Sequence, residues 1–107
     1  MPRVSVVIPV FNAAHTIEQA IESVRAQTFS DHEIIAVDDG STDGSIEILR
    51  RYDIAVKIVQ QENRGPSAAR NLGIANSTGE YVGFLDADDW WKPELLARMV
   101  RIWPNSC

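Results

Sequence analysis

The chain has a single cysteine, and it is the last residue, Cys107. An intrachain disulfide is therefore excluded, no Cys/His zinc spacing exists, and a reducing cytoplasm is the expected compartment. Cations are the minority charge, 10 Lys and Arg against 15 Asp and Glu, for a formal net charge of −5. That balance argues against a nucleic-acid surface, which needs clustered Lys and Arg. It leaves room for an anionic ligand bridged by a metal ion. No apolar run approaches the roughly 20 residues of a bilayer-spanning helix, and the N-terminal MPRVSVV enters a strand directly, without the form of a signal peptide. Gly65 and Gly73 fit neither G-x-G-x-x-G nor the P-loop. No serine has a His/Asp partner, and His15 and His32 read as isolated surface residues.

What is present is ordered βαβαβαβα. The 107 residues suit one domain, 1–107. Residues 4–10 (VSVVIPV) are a nearly continuous β-branched run, as in a strand buried on both faces. A helix is predicted over 14–27, with Ile17, Ile21 and Val24 in one stripe. A second strand is predicted at 33–37 and stops at Asp38-Asp39-Gly40-Ser41. Thr42 or Asp43 caps a short helix through about Tyr52, with Ile46, Leu49 and Ile48 facing inward. The third strand is expected at 55–59. Pro66 suits the first position of a helix whose Ala68, Ala69, Leu72 and Ala75 form a small-residue face. The fourth strand is expected at 80–85. Pro93 opens a last helix with Leu95, Leu96, Met99, Val100 and Trp103 on one side. Buried-type strands alternating with helices predict a mainly parallel sheet covered on both faces.

Polar residues gather where such a sheet binds ligands, beyond the carboxyl ends of its strands. Those ends are Pro9-Val10-Phe11-Asn12, Asp38-Asp39-Gly40-Ser41, Asn63-Arg64-Gly65 and Asp86-Ala87-Asp88-Asp89. If the backbone stays extended, Asp86 and Asp88 point the same way and suit Mg²⁺ or Mn²⁺, which takes carboxylates together with substrate phosphates. The alternative is a solvated turn capping the next helix. Asp38 and Asp39 can accept from a base N–H or a ribose hydroxyl, or simply form an Asx-turn with Gly40. Arg64 and Arg70 flank a helix N-terminus, a place that favours anions; Arg64 reads at least as well as a solvated or structural arginine, whereas Arg70, within the helix, need not point outward. Trp90 and Trp91 read as packing residues, with lining a sugar site as the alternative.

The blocks VSVVIPVFN, VDDGSTD, NRGPSAARNLG and YVGFLDADD, in this order, resemble family 2 glycosyltransferases of the GT-A fold. The resemblance implies a Rossmann-like GT-A half with strand order 3-2-1-4 and an inverting transfer from a nucleotide diphosphosugar to an acceptor hydroxyl, using Mg²⁺ or Mn²⁺. It implies Pro9 and Phe11 beside the base and Asp39 on uracil if the donor is UDP-linked, with Asp38 supporting that turn. It further implies Arg70 near the nucleotide, Asp86 on ribose and metal, and Asp88 on metal. Asp89 is the lesser substitute. Members continue well past the D-x-D signature into a region that supplies the acceptor site, for a saccharide or lipid-linked acceptor, and the general base. This chain is therefore expected to be the donor half of a longer protein, inactive alone and cytoplasmic or membrane-peripheral in its parent. Self-association through the edge of the fourth strand, 80–85, or through the uncovered face is expected. The rival readings are a non-catalytic nucleotide-sugar-binding module and a phospho-acceptor receiver, for which neither Lys57 nor Lys92 is well placed.

Overall fold

The computed structural model describes residues 2–102. Four parallel strands, β1 (Val4–Val10), β2 (His32–Asp38), β3 (Lys57–Gln60) and β4 (Tyr81–Phe84), lie in the order β3-β2-β1-β4. Helices α1 (Ile17–Arg25), α2 (Ser45–Arg50), α3 (Pro66–Ala75) and α4 (Leu95–Ile102) connect or follow them. This is the α/β architecture expected from the alternation of strand and helix patterns.

The pleat of the two central strands divides the core. Val4, Val6, Ile8 and Val10 of β1 join Ile34 and Ala36 of β2 under α1, α2 and α4. Val7, Ile35 and Val37 point to the other face and meet Ala69 of α3. Both faces of β1 and β2 are thus covered, which is why their sequences read as continuous apolar runs. The stripe of α1, Ile17, Ile21 and Val24, is fully buried, each side chain contributing about 1.5–3 kcal/mol relative to exposure.

Element limits differ from expectation where local hydrogen bonding intervenes. The N–H groups of Thr16 and Ile17 both donate to the Ala13 carbonyl, so a turn precedes α1, which starts at Ile17 rather than 14. A 3-10 turn at Asp53–Ala55 takes Ala55 out of β3. On α3 Ala69 and Gly73 are buried and Leu72 packs partly buried against the core, while Ala75 is exposed. A helix turns about 100° per residue, so Ala69 and Gly73 share a face that Ala75 leaves. On α4, Leu96 and Val100 are buried but Met99 is 36% exposed. Trp103 and Cys107 lie outside the described residues.

Candidate functional site

β1 and β4 part company at the point where strand order reverses. β4 ends at Phe84, opposite Val7, and the Leu85 N–H makes a last bond to the Val7 carbonyl at 3.0 Å. β1 runs on through Val10 beside β2 alone. Residues 7 and 9 of a strand direct their backbone groups toward the same neighbour. Pro9 therefore turns its missing N–H toward the side that β4 has left, where no ladder bond is lost. The crevice opened there is a hollow of about 720 Å³, within the size range of small-molecule sites.

Pro9, Phe11, Asp39, Arg70, Asp86 and Asp88 all wall this hollow. They come from the ends of three strands and the first turns of α3. Asp38 is buried but is not on the wall; its Oδ2 accepts the Ser41 N–H at 3.2 Å. That bond holds the turn at Gly40, whose φ of +81° suits a residue without a side chain.

Asp39 sits at the back of the hollow with both oxygens engaged. Oδ1 accepts the Gln61 side-chain amide at 2.8 Å and the Arg64 N–H at 2.7 Å, and Oδ2 accepts the Gly65 N–H at 3.0 Å. Burial by itself would push this carboxyl up, but the donors from Arg64, Gln61 and Gly65 outweigh it and hold it below its ordinary value. An ionised carboxylate offers about four acceptor positions, so one remains for a ligand. Arg64 enters through its backbone; its side chain is exposed and not on the wall.

The acidic run after β4 reaches the hollow by a different geometry from the one expected. The strand does not stay extended. Asp86 to Asp89 form a turn closed by the Asp89 N–H on the Asp86 carbonyl at 3.0 Å. Ala87 is buried beneath it, and Asp86 and Asp88 both open onto the hollow. Asp89 is not on the wall; its Oδ1 accepts the Trp90 N–H at 2.8 Å. Arg70 approaches Asp86 at 3.9 Å, with both side chains well exposed, a loose pair that a ligand can compete with.

Two hard carboxylates on one turn suit a divalent cation that completes its shell with water and ligand oxygens. No cluster of three or more acidic, His or Cys groups able to hold an ion alone occurs among the described residues. The donor set therefore fits a metal shared with a phosphorylated ligand better than a closed structural site.

Some wall residues were not anticipated. His15, read as an isolated surface histidine, lies on the wall with Ala13 and Thr16, while Asn12, Asn63 and Gly65 line it as members of the expected strand ends. The usable signal was position: 12–16 follow the carboxyl end of β1 as directly as the aspartates follow β2 and β4. Trp91 packs against the core, whereas Trp90 is 51% exposed; neither tryptophan is on the wall.

A family model described as Glycosyl transferase family 2 matches residues 5–105. The chain belongs to this family. Among its curated relatives, an uncharacterized glycosyltransferase of Nostoc sp. is 45% identical over 108 residues, covering 97% of this chain and 34% of the relative. A putative glycosyltransferase, EpsH of Bacillus subtilis, is 42% identical over 103 residues, covering 94% and 30%. Two solved structures extend the likeness. S. aureus TarS in complex with UDP-GlcNAc superposes with a TM-score of 0.86 at 31% identity, covering 92% of this chain and 30% of that one. Mannosyltransferase PcManGT from Pyrobaculum calidifontis, in complex with GDP-Man and Mn²⁺, gives 0.86 at 32% identity, covering 97% and 32%. This family 2 chain thus spans about a third of the length of these relatives.

Proposed function

We propose that the hollow holds the nucleotide diphosphate of a sugar donor, and that the chain is the donor-binding half of an inverting, metal-dependent glycosyltransferase. The observation that carries this reading is convergence: Asp39 beyond β2, Arg70 on α3, and Asp86 and Asp88 beyond β4 share one hollow at the β1/β4 crevice. TarS holds UDP-GlcNAc and PcManGT holds GDP-Man with Mn²⁺, which supports the ligand class.

Pro9 and the half-exposed Phe11 ring flank the base. The remaining acceptor position of Asp39 takes a ring N–H, as uracil or guanine offers and adenine does not. Asp38 stays behind the wall and fixes the turn. Arg70 swings from Asp86 toward phosphate oxygens. Asp86 and Asp88 hold Mg²⁺ or Mn²⁺, with Asp86 also reaching the ribose. When bound, the cation supplies Lewis-acid neutralisation of the departing diphosphate. The hydroxyl of a saccharide or lipid-linked acceptor attacks the anomeric carbon from the face opposite the leaving group. The base that takes its proton is assigned to sequence outside this chain, which alone binds donor without turning it over. The cytoplasm, where nucleotide-activated sugars are available, is the proposed compartment.

Calorimetric titration of UDP, GDP and ADP with and without Mn²⁺ tests this. Metal-strengthened binding of UDP or GDP, with ADP weaker, is expected. Metal-independent binding, or none, would overturn it. A nucleotide-binding module without catalysis is separated by joining the chain to the remainder of a full-length relative: the enzyme reading expects turnover, the module reading binding alone.

A further inference from the structure

We infer that Asp43, with Ser45, is a positioning residue that latches the near wall of the donor hollow without touching its contents; the inference rests on the reading above. Three consecutive backbone N–H groups of the β1–α1 loop are each taken by a side-chain oxygen from 41–45. Asn12 donates to Ser41 Oγ at 2.9 Å, Ala13 to Ser45 Oγ at 2.9 Å, and Ala14 to Asp43 Oδ2 at 3.0 Å. Asp43 Oδ1 in turn accepts the Ser45 N–H at 3.1 Å and the Ser45 hydroxyl at 2.6 Å. The Ser45 hydroxyl thus gives its proton to Asp43 and keeps its lone pairs for Ala13. A reciprocal bond runs the other way, from the Thr42 N–H to Asn12 Oδ1 at 2.8 Å.

The division of labour is spatial. Phe11, Asn12, Ala13, His15 and Thr16 wall the hollow, and Ser41, Asp43 and Ser45 do not. Asn12 has a φ of +48°, a conformation that an asparagine adopts at some cost and that needs its surroundings to hold it. Ser41 and Thr42 fasten Asn12 itself, and the Asp43 carboxylate, directly at Ala14 and through Ser45 at Ala13, ties the residues that follow to the start of α2. The Ser45 hydroxyl and the Ala14 N–H also keep the Asp43 carboxyl below its ordinary value, so the latch is charged at neutral pH. A loop freed from the latch populates many conformations, and apparent affinity falls by the fraction that remains competent.

The experiment compares the wild-type chain with Asp43→Ala and Asp43→Asn. UDP affinity is measured in Mn²⁺, and amide hydrogen exchange is followed residue by residue without ligand. Asp43→Ala is expected to weaken UDP about tenfold and to speed exchange at Ala13 and Ala14 while the β1 amides stay protected. Asp43→Asn, which keeps one acceptor oxygen, is expected to recover part of both. Unchanged affinity in Asp43→Ala, or exchange that rises equally throughout β1, overturns the latch. If the wild-type chain does not bind UDP, GDP replaces it in the same comparison; failure to bind either removes the donor-site reading and the inference with it, and is recognised by occurring before any substitution is made.

Discussion

Asp39 carries three hydrogen bonds from the 61–65 loop on two oxygens. Its replacement by asparagine would turn an amide –NH₂ against at least one of those donors. Asp39→Asn is expected to destabilise the fold by about 2 kcal/mol and to abolish measurable nucleotide binding, checked by urea unfolding and calorimetry. The same carboxylate makes stability depend on pH. Its folded value lies below the ordinary 3.8, so the unfolded chain binds the proton more readily. The contribution is complete above the ordinary value and is lost as pH falls through the folded one. Asp43, and Glu33 with its Ser5 and Thr78 donors, act in the same direction. Melting temperature is expected to fall as pH drops from about 5 through the depressed folded values, and to fall less in Asp39→Asn. Asp88 is the contrasting case, exposed on a turn beside Asp86. Asp88→Asn should change stability by less than about 0.5 kcal/mol while removing the Mn²⁺ dependence of UDP binding. A large loss of stability without metal would assign Asp88 to the turn instead.

At the scale of elements, the tip of β2 organises its neighbours on both sides. Asp39 fastens the loop leading into α3, and Asp43 with Ser45 fastens the loop leading into α1. α3 itself lies very close to the sheet. A Cβ on Gly73 would come within 2.3 Å of Val7 Cγ1, and Val7 is fully buried and stiff at χ1. Gly73→Ala therefore sets a helix-propensity gain of about 1 kcal/mol against an overpacking cost of about 1–3 kcal/mol. Because Val7 cannot rotate away cheaply, the cost wins, and a net loss of about 1–2 kcal/mol is expected in urea unfolding. Unchanged or raised stability would mean that α3 rides freely on the sheet. A lifted α3 would also carry Arg70 away from Asp86, so nucleotide affinity should fall in parallel.

At the scale of the whole molecule, the two sheet edges differ. β3 carries Lys57, whose Nζ donates to the Asn76 carbonyl, and a charged edge discourages strand addition. β4 reads YVGF, without charge, and Phe84 is 42% exposed. Self-association through β4 is expected, visible as concentration-dependent sedimentation and suppressed by Phe84→Lys. A strictly monomeric chain at high concentration would show that side chains already shield this edge.

The sequence by itself determined the layered α/β architecture. Strands buried on both faces must be largely apolar, helices with one buried face must be striped, and the strand bodies carry few polar residues beside their polar carboxyl ends. That pattern also placed Pro9, Phe11, Asp39, Asp86 and Asp88 at strand ends, whereas the roles of Pro9 and Phe11 and the place of Arg70 near the nucleotide were implied by the resemblance to family 2 glycosyltransferases. Only tertiary structure decided how they meet. Asp86 and Asp88 face one hollow because a turn over Ala87 aims them, not because a strand continues. His15 joins the wall because the Thr16 and Ile17 N–H groups turn the loop before α1 starts. Asp43 reads locally as a helix cap, yet its second oxygen belongs to Ala14. The physical reason is common to all three: strand and helix periodicity are local properties, whereas the path of a loop depends on which acceptor, backbone carbonyl or carboxylate, the fold brings to each of its N–H groups.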